Sequence, residues 1–500
     1  ALYSSAASDV YKRQELLSYQ QKNTSGSTIK HCQDTAISLS KNKGDWCIGL
    51  RSKNKIEAKI VIVTPCNFSP GIPVQLKKVV SHPAIYSNPW DITQFLKIPS
   101  NGKVLIIGTG PAGASAGALL STYGIENMMI NRYHWLANTP RAHITNQRTM
   151  EVLRDLGHEV EAEAYLHATE QDLMGENVFC ESLAGEEIGR MNSWGTHPLS
   201  KAEHLLSSPT FMNDLPQTFM EPLLFTTACK RGTRARMSME YKKHEQDAEG
   251  VTTICLDRLT GKEVKIRSKY LIGADGGNSL VTENENLPIE GKMGVGGSMN
   301  ILFRADLSKY VAHRPSVLYW VMQPGADVGG IGMGLVRMIR PWNEWLIVWG
   351  YDVTQPAPNV DEAMATEVAR QLVGDPKLEI ELLSANTWTV NDAYATKLSK
   401  GRVFIMGDAA HRHPPSNGLG SNTSIQDAFN LCWKLASVLK NQAGSTLLET
   451  YNTERAPIAK QVVTRANQSI SEFGPIFEAL GMTGGTDYEL IKSNMDARCG

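Results

Sequence analysis

The chain has 500 residues, is 42% hydrophobic and carries 50 Lys and Arg against 51 Asp and Glu, a formal net charge of −1. That is enough apolar side chain for more than one buried core, and the absence of a basic excess or stripe argues against a nucleic-acid partner. The 8 cysteines form no CxxC pair and are expected to be reduced thiols of a cytoplasmic protein. The longest apolar runs, such as KIVIV and KVLII, are strand-length, far short of the ~20 residues of a membrane helix.

In chain order, residues 1–14 have neither an initiator Met nor the pattern of a secretory signal. They contain DVYKRQ (Asp9 to Gln14), which resembles a translated transposon adaptor, so 1–14 are expected to be an adaptor-derived artefact. Residues 15–100 carry strand-like alternation in DWCIGLRS and KIEAKIVIVTP, then a Pro-rich turn leading to NPWDITQFLKIPSNGKVLIIGTG. Without a phosphate-binding turn of their own they make only a partial FAD- or NAD(P)-binding-like fragment.

The run KVLII then leads into GTGPAGASAG (Gly108 to Gly117), which reads as strand, tight turn and helix, the context a dinucleotide fingerprint requires. Gly108 permits the turn, Gly110 lets backbone approach a pyrophosphate and Gly113 lets the helix lie close to the strand. Pro111 and Ala112 open a helix whose free amides and positive dipole end suit phosphates. A second strand, IENMMIN, ends at Asn131 and Arg132, where an acidic residue would bind ribose hydroxyls; Asn131 retains hydrogen-bonding ability without the charge. Further on, YLIGADGGNS places Asp275 and Gly276 after a strand, from where a carboxylate can organise a turn near a dinucleotide. In GRVFIMGDAAHRHPPSNGLGSN, Gly407 and Asp408 end a strand at the ligand-binding edge of an α/β sheet, and Asp408 suits a ribityl or ribose hydroxyl. Beyond it Pro415, Gly418, Gly420, Ser421 and Asn422 lead into a helix whose loop amides and dipole suit a flavin ring.

Residues 288–352 carry β-branched and aromatic runs between Gly-rich turns, which predicts an antiparallel sheet, and VDEAMATEVARQLVG has the apolar spacing of an amphipathic helix on it. From Ser445 onward the pattern is helical, with a break or kink expected at Pro457. No internal repeat or low-complexity tract is present. His411 and His413 invite a metal reading, but no Cys or carboxylate cluster stands at ligand spacing beyond Asp408, so no metal is expected.

The stretches WLANTPRAHITNQRTMEVLRDLG, DLPQTFMEPLL, GADGGNS and GDAAHRHPPSNGLGSNTSIQDAFNLCWKLA resemble the FAD-dependent aromatic hydroxylases, notably the phenol and chlorophenol monooxygenases. The resemblance runs from about Val104 to the end of the chain. It implies an α/β fold: a Rossmann-like, glutathione-reductase-type FAD-binding domain (101–285 and 395–475) with an inserted antiparallel-sheet substrate domain (286–394). Residues 476–500 would begin a C-terminal region, thioredoxin-like in relatives and often supporting a homodimer, and the chain would be truncated there. Residues 15–100 resemble part of a different FAD and NAD(P)-binding family, and a splice at the shared GTG, by assembly of mixed sequences or gene fusion, would join the two.

By the same resemblance Arg148 and Gln217 contact FAD, Asp275 serves the dinucleotide and Asp408 holds the ribityl chain. The chain departs from the family at Asn131, where many relatives carry Glu, at Asn417 in place of a Gly, and at Asn278 and Thr282, where Arg is frequent; the last pair leaves the NADPH contact open. The implied reaction uses NADPH and O2, through a flavin hydroperoxide, to hydroxylate a phenol ortho to its hydroxyl and give a catechol. Such chemistry favours phenolate, and a phenol of pKa ~10 needs a base near neutral pH, for which imidazole at ~6.5 fits. His143 is the candidate base, or else a loop histidine satisfied by backbone. Asp214 is placed to orient it or to cap a helix, and Arg337 or Arg340 to compensate substrate charge. Two other readings share these motifs: a flavoprotein hydroxylase of a bulkier aromatic or polyketide, and a non-catalytic chimeric chain that binds FAD at most.

Overall fold

The computed structural model describes residues 36–42, 45–50, 55–58, 102–323, 333–481 and 487–499. The expectations for residues 1–14 and for the NPWD segment lie outside these, as does most of 15–100. The chain divides into two units, 1–95 and 96–500. In the first, the strands Ala36–Asn42, Asp45–Leu50 and Lys55–Ala58 form a three-stranded antiparallel sheet.

The second unit contains two large sheets. One has a parallel core in the order Arg234–Arg236, Asn127–Ile130, Gly102–Ile107, Lys262–Gly273 and Val403–Ile405. The strand Lys262–Gly273 serves two structures. Its first half pairs antiparallel with Val251–Asp257, which pairs in turn with Met239–Gln246, and there burial alternates. Its last four residues are all buried, as a parallel strand covered on both faces must be. The covering helix Pro111–Thr122 packs on the helices Gln217–Lys230 and Gly420–Leu439. Its run of Ala, Gly and Ser lets it lie close to both sheet and helix: a Cβ added at Gly117 would meet the Met129 sulfur of the strand at 2.7 Å and Ala228 Cβ of the helix Gln217–Lys230 at 3.4 Å.

The other sheet has eight strands in the order His411–Arg412, Glu381–Ala395, Ile289–Arg304, Glu344–Tyr351, Met333–Arg340, Leu318–Met322, Asn177–Cys180 and Glu187–Met191. All its pairings are antiparallel except that of Asn177–Cys180 with Leu318–Met322. Two of these strands come from within 101–285, so the substrate sheet reaches outside 286–394. They are only 4 and 5 residues long, and Asn177–Cys180 pairs with a strand far away in sequence, which no local pattern reveals. Phe303, Tyr319, Val336, Trp345 and Ile347 form the core, closed by Ala365, Val368, Ala369 and Leu372 of the helix Glu362–Val373. Asp361 caps this helix on the Met364 amide at 2.9 Å, and Gly374, with φ +79°, ends it.

The helix Glu449–Leu480 runs through Pro457 and Pro475 without the break that proline suggests. Tyr451, Arg455, Ala459, Val463 and Ala466 are buried along it, and such packing outweighs the loss of one backbone bond at each proline. Residues 488–499 form a further helix, which places Ile491 and Met495 against Phe179, Ile188, Met322, Phe477 and Leu480. Replacing the fully buried Phe303 by Ala leaves a cavity and is expected to lower unfolding free energy by about 3–5 kcal/mol in a urea titration. A loss below about 1 kcal/mol would show that the sheet core is not closed as described.

Candidate active site

Three chain segments meet at the carboxyl ends of three neighbouring parallel strands. Gly108, at φ +108°, lies so close to Ala274 that an added Cβ would come within 2.1 Å of the Ala274 oxygen, and the Ala274 amide donates to the Ile107 oxygen at 2.8 Å. Gly113 lies equally close to Gly108, its added Cβ meeting the Gly108 oxygen at 2.1 Å. Gly407, at φ +62°, brings the third segment in, with Ala112 Cβ 3.1 Å from its own Cβ position. The helix beginning at Pro111 has no side-chain cap and no acid in its first turn; the same is true of the helix beginning at Gly420 and Ser421. Two bare helix N-termini beside a turn whose backbone packs too closely for a Cβ at Gly108 or Gly113 suit a dinucleotide diphosphate and an electron-rich ring. The donors and the shape fit FAD.

Around the cradle the individual residues divide. Asp408 is exposed beyond Val403–Ile405, its backbone oxygen bonded by Arg412 Nε at 3.0 Å and its side chain turned to solvent, as a ribityl or ribose anchor requires. Gly276, at φ +84°, has open space at its Cβ position. The Asp275 carboxylate is turned inward, accepting from Ser279 Oγ at 2.6 Å and the Val281 amide at 3.2 Å, so it organises the turn. Asn131 faces protein too: its amide donates to Thr109 Oγ1 at 2.6 Å, and its oxygen accepts from the Tyr133 amide at 3.2 Å. Arg132 is exposed and lies on Tyr133. Arg148 is half-exposed, paired with Glu151 at 2.6 Å and lying over the Phe429 ring.

Gln217 has both ends of its amide engaged, accepting from the Ala142 amide at 3.2 Å and donating to Glu221 Oε1 at 2.5 Å. Glu221 is buried and also takes the Ala137 amide at 2.8 Å, while burial pushes its carboxyl up. Sequence reasoning missed it, although it stands four residues after Gln217 on one helix face. Asp427 was missed as well. It accepts from the Gly407 amide at 3.0 Å, from His411 Nε2 at 2.7 Å and from Arg455 Nε at 2.7 Å, which gives His411 a structural partner. Among the described residues no group of three His, Cys, Asp or Glu is placed to hold a metal ion, and no helix is long and apolar enough to cross a membrane.

His143, Asp214 and Arg337, far apart in sequence, are assembled in one buried cluster. The strand Ile144–Thr145 pairs with Asn213–Asp214, and the Leu215 amide donates to the His143 oxygen at 2.8 Å. This sets His143 Nδ1 at 2.8 Å from Asp214 Oδ1, while Thr169 Oγ1 donates to Oδ2 at 3.0 Å. Arg337, on the strand Met333–Arg340, donates Nη1 to the Pro140 oxygen at 2.6 Å and holds Nη2 3.8 Å from Asp214. Arg340 bonds the His167 oxygen at 2.9 Å and lies 3.7 Å over the Phe219 ring. Burial alone would raise the Asp214 carboxyl, but His143, Arg337 and Thr169 outweigh it and hold Asp214 below the usual range. Burial and then the Arg337 charge hold the imidazole of His143 below its ordinary value against the pull of Asp214. Burial also lowers the guanidinium of Arg337, to about 10.

The flavin loop reaches this cluster through Asn422, which is buried. Its Nδ2 donates to the Ile144 oxygen at 2.8 Å and to the Gly418 oxygen at 2.6 Å, and its Oδ1 accepts from the Asn146 amide at 3.0 Å. Gly418, at φ +61°, packs against Ile144, and Pro415 is exposed.

Residues 101–466 match the family model described as FAD binding domain. The 2,4-dichlorophenol 6-monooxygenase of Cupriavidus pinatubonensis (strain JMP 134 / LMG 1197) is 59% identical over 395 residues, 79% of this chain and 66% of that protein. The chain belongs to the FAD-dependent aromatic hydroxylases. Another member, the phenol 2-monooxygenase of Pseudomonas sp. (strain EST1001), is 55% identical across 77% of this chain and 61% of its own length. The chain thus spans somewhat under two thirds of the length of these relatives. The crystal structure of the flavin-dependent monooxygenase PieE in complex with FAD and substrate superposes with a TM-score of 0.73 at 39% identity, covering 79% of this chain and 68% of the other. These relatives and the family match carry the expected fold, an α/β FAD-binding domain with an inserted substrate sheet, and FAD as its cofactor.

Asp408→Asn is expected to weaken FAD binding about tenfold, the loss of one charge-assisted hydrogen bond. Gly113→Val is expected to abolish binding, because its side chain would strike the Gly108 carbonyl and push the helix away from the turn. Flavin fluorescence quenching on titration of each variant measures both, and unchanged affinity in either would remove that residue from the site.

Proposed function

We propose that the chain hydroxylates a phenol, or a chlorophenol, ortho to its hydroxyl to give a catechol, using NADPH and O2. The observation that carries this reading is the part-buried His143, paired with the fully buried Asp214 beside Arg337 and tied by Asn422 to the loop that follows Asp408. The phenol relatives support the substrate class. FAD, held by the fingerprint helix, Asp408 and the loop from Pro415 to Asn422, would supply the activated oxygen and take its electrons from NADPH.

The remaining work belongs to this chain's own side chains. Asp214, ionised, accepts the Nδ1 proton of His143, and this leaves the Nε2 lone pair free. Because the imidazole is held below its ordinary pKa, it is neutral at pH 7 and can take the phenol proton. Ionisation makes the ring carbon ortho to the oxygen electron-rich enough to attack an electrophilic oxygen. Arg337 keeps Asp214 ionised and discourages early protonation of His143. Asp214 and Arg337 are therefore positioning residues in this scheme, and His143 is the base.

Incubation with FAD, NADPH and phenol or 2,4-dichlorophenol is expected to couple NADPH oxidation to catechol formation, followed by absorbance and chromatography. Phenol-independent oxidation with no catechol would overturn the reading. The His143→Ala variant is expected to bind FAD as the parent does but to turn over about 100-fold more slowly at pH 7. That deficit should shrink toward pH 10, where phenol ionises unaided. In the parent, kcat/KM should fall only as pH drops through a His143 pKa lying below ~6.5. A rate deficit that does not change with pH would exclude the base role.

A further inference from the structure

Trp194 stands in a tight turn between the strand Glu187–Met191 and the helix Pro198–Leu206. Its φ is +59° and that of Gly195 is +76°, while the turn is closed by the Thr196 amide on the Ser193 oxygen at 2.9 Å. A bulky aromatic residue in the left-handed region is disfavoured, and such a conformation persists only where the surroundings enforce it. Here it places the indole edge-on to His143, with ring centroids 6.1 Å apart and an angle of 68° between planes. The body of the indole packs against the substrate-sheet core, which accounts for its apolar surface. Its nitrogen is also buried, yet no hydrogen-bond acceptor reaches it. A buried indole N–H ordinarily has an acceptor, and leaving one unmade is costly.

A second unmatched donor set flanks the same histidine. Arg337 is 3% exposed, and its Nε and Nη2 are buried without hydrogen-bond partners, Nη2 being too far from Asp214 for one. Charged and titratable groups packed here include His143, Asp214, Arg337 and Arg340, with His167 near Arg340 and His204 against Gly195. Trp194 and Arg337, both beside His143, thus carry buried N–H groups without an acceptor, and a substrate oxygen placed at His143 would supply one.

We propose that the indole N–H of Trp194 donates to the substrate oxygen and stabilises it as phenolate once His143 has taken the proton. The proposal rests on the phenol reading above and deepens it by naming a second group that touches the reacting oxygen. In this step the hydroxyl proton passes to His143 Nε2, the O–H bonding pair stays on oxygen, and no other bond changes. A neutral donor suits the task. It favours the phenolate over the phenol without adding a second positive charge that would further suppress protonation of His143.

The test uses 4-nitrophenol, whose ionisation is visible in its absorbance, bound to the FAD-loaded protein without NADPH and titrated with pH by difference spectroscopy. In the parent, bound 4-nitrophenol is expected to ionise at lower pH than it does free in solution. Trp194→Phe keeps the aromatic wall but lacks the N–H; it is expected to raise the ionisation pH by about one unit and to weaken phenolate binding about tenfold. Trp194→His restores a ring N–H and should recover part of the shift. FAD bound in unchanged stoichiometry reports the fold of each variant. Ionisation in Trp194→Phe identical to the parent, or equal shifts in both variants, would overturn the role of the N–H and leave Trp194 as packing. If the parent itself neither binds nor ionises 4-nitrophenol, the phenol reading falls and this inference falls with it.

Discussion

Asp214 is a fully buried carboxylate, and the chemistry assigned to this chain depends on its remaining ionised. An isolated charge in that position would neutralise, because desolvation disfavours it by several kcal/mol. Hydrogen bonds from His143 and Thr169, with the guanidinium of Arg337 nearby, reverse the balance. The same contacts fix the tautomer of His143. Removing one partner from such a buried group typically costs about 3–5 kcal/mol, so stability and catalysis draw on one set of bonds.

The cluster also shows how the FAD-binding and substrate parts of the fold are joined. Asp214 lies on a two-stranded ribbon that belongs to neither large sheet, and His143 immediately precedes its other strand. Arg337 comes from the substrate sheet and reaches the stretch before the ribbon at Pro140, while Asn422 comes from the loop after Asp408 and binds at Ile144 and just beyond the ribbon at Asn146. Glu221 and Gln217 hold the stretch before it at Ala137 and Ala142. Asn422 is thus a direct contact between the loop after Asp408 and the chain on the far side of His143.

The cofactor cradle was legible in the sequence because its chemistry is local. A strand, a turn needing glycine and a helix follow one another within about twenty residues, and the end of each later strand carries its own carboxylate. His143 and Asp214 were legible for a different reason: each lies in a stretch resembling a known family, and two short strands bring them together. The environments of individual side chains were not legible. Nothing in the sequence shows that Asp275 turns inward to its own loop, that Arg148 pairs with Glu151, or that Asp427 binds the Gly407 amide. The partners lie only three to twenty residues away, but which of them a side chain meets depends on its rotamer and on the path of the loop around it. The strand Asn177–Cys180 escaped because its partner Leu318–Met322 lies in a distant part of the chain, and the short Glu187–Met191, paired to it as a hairpin, escaped with it. Trp194 gave no signal, because one aromatic residue beside a Gly reads as an ordinary turn.

The ionisation state and tautomer of His143 test the account most directly. Nitrogen chemical shifts of histidine-labelled, FAD-bound protein, with His143→Gln used to assign the resonance, report both across a pH titration. The account predicts a neutral ring at pH 7 with the proton on Nδ1 and Nε2 free, titrating below the ordinary imidazole value. A ring protonated at pH 7, or a neutral ring carrying its proton on Nε2, would contradict it.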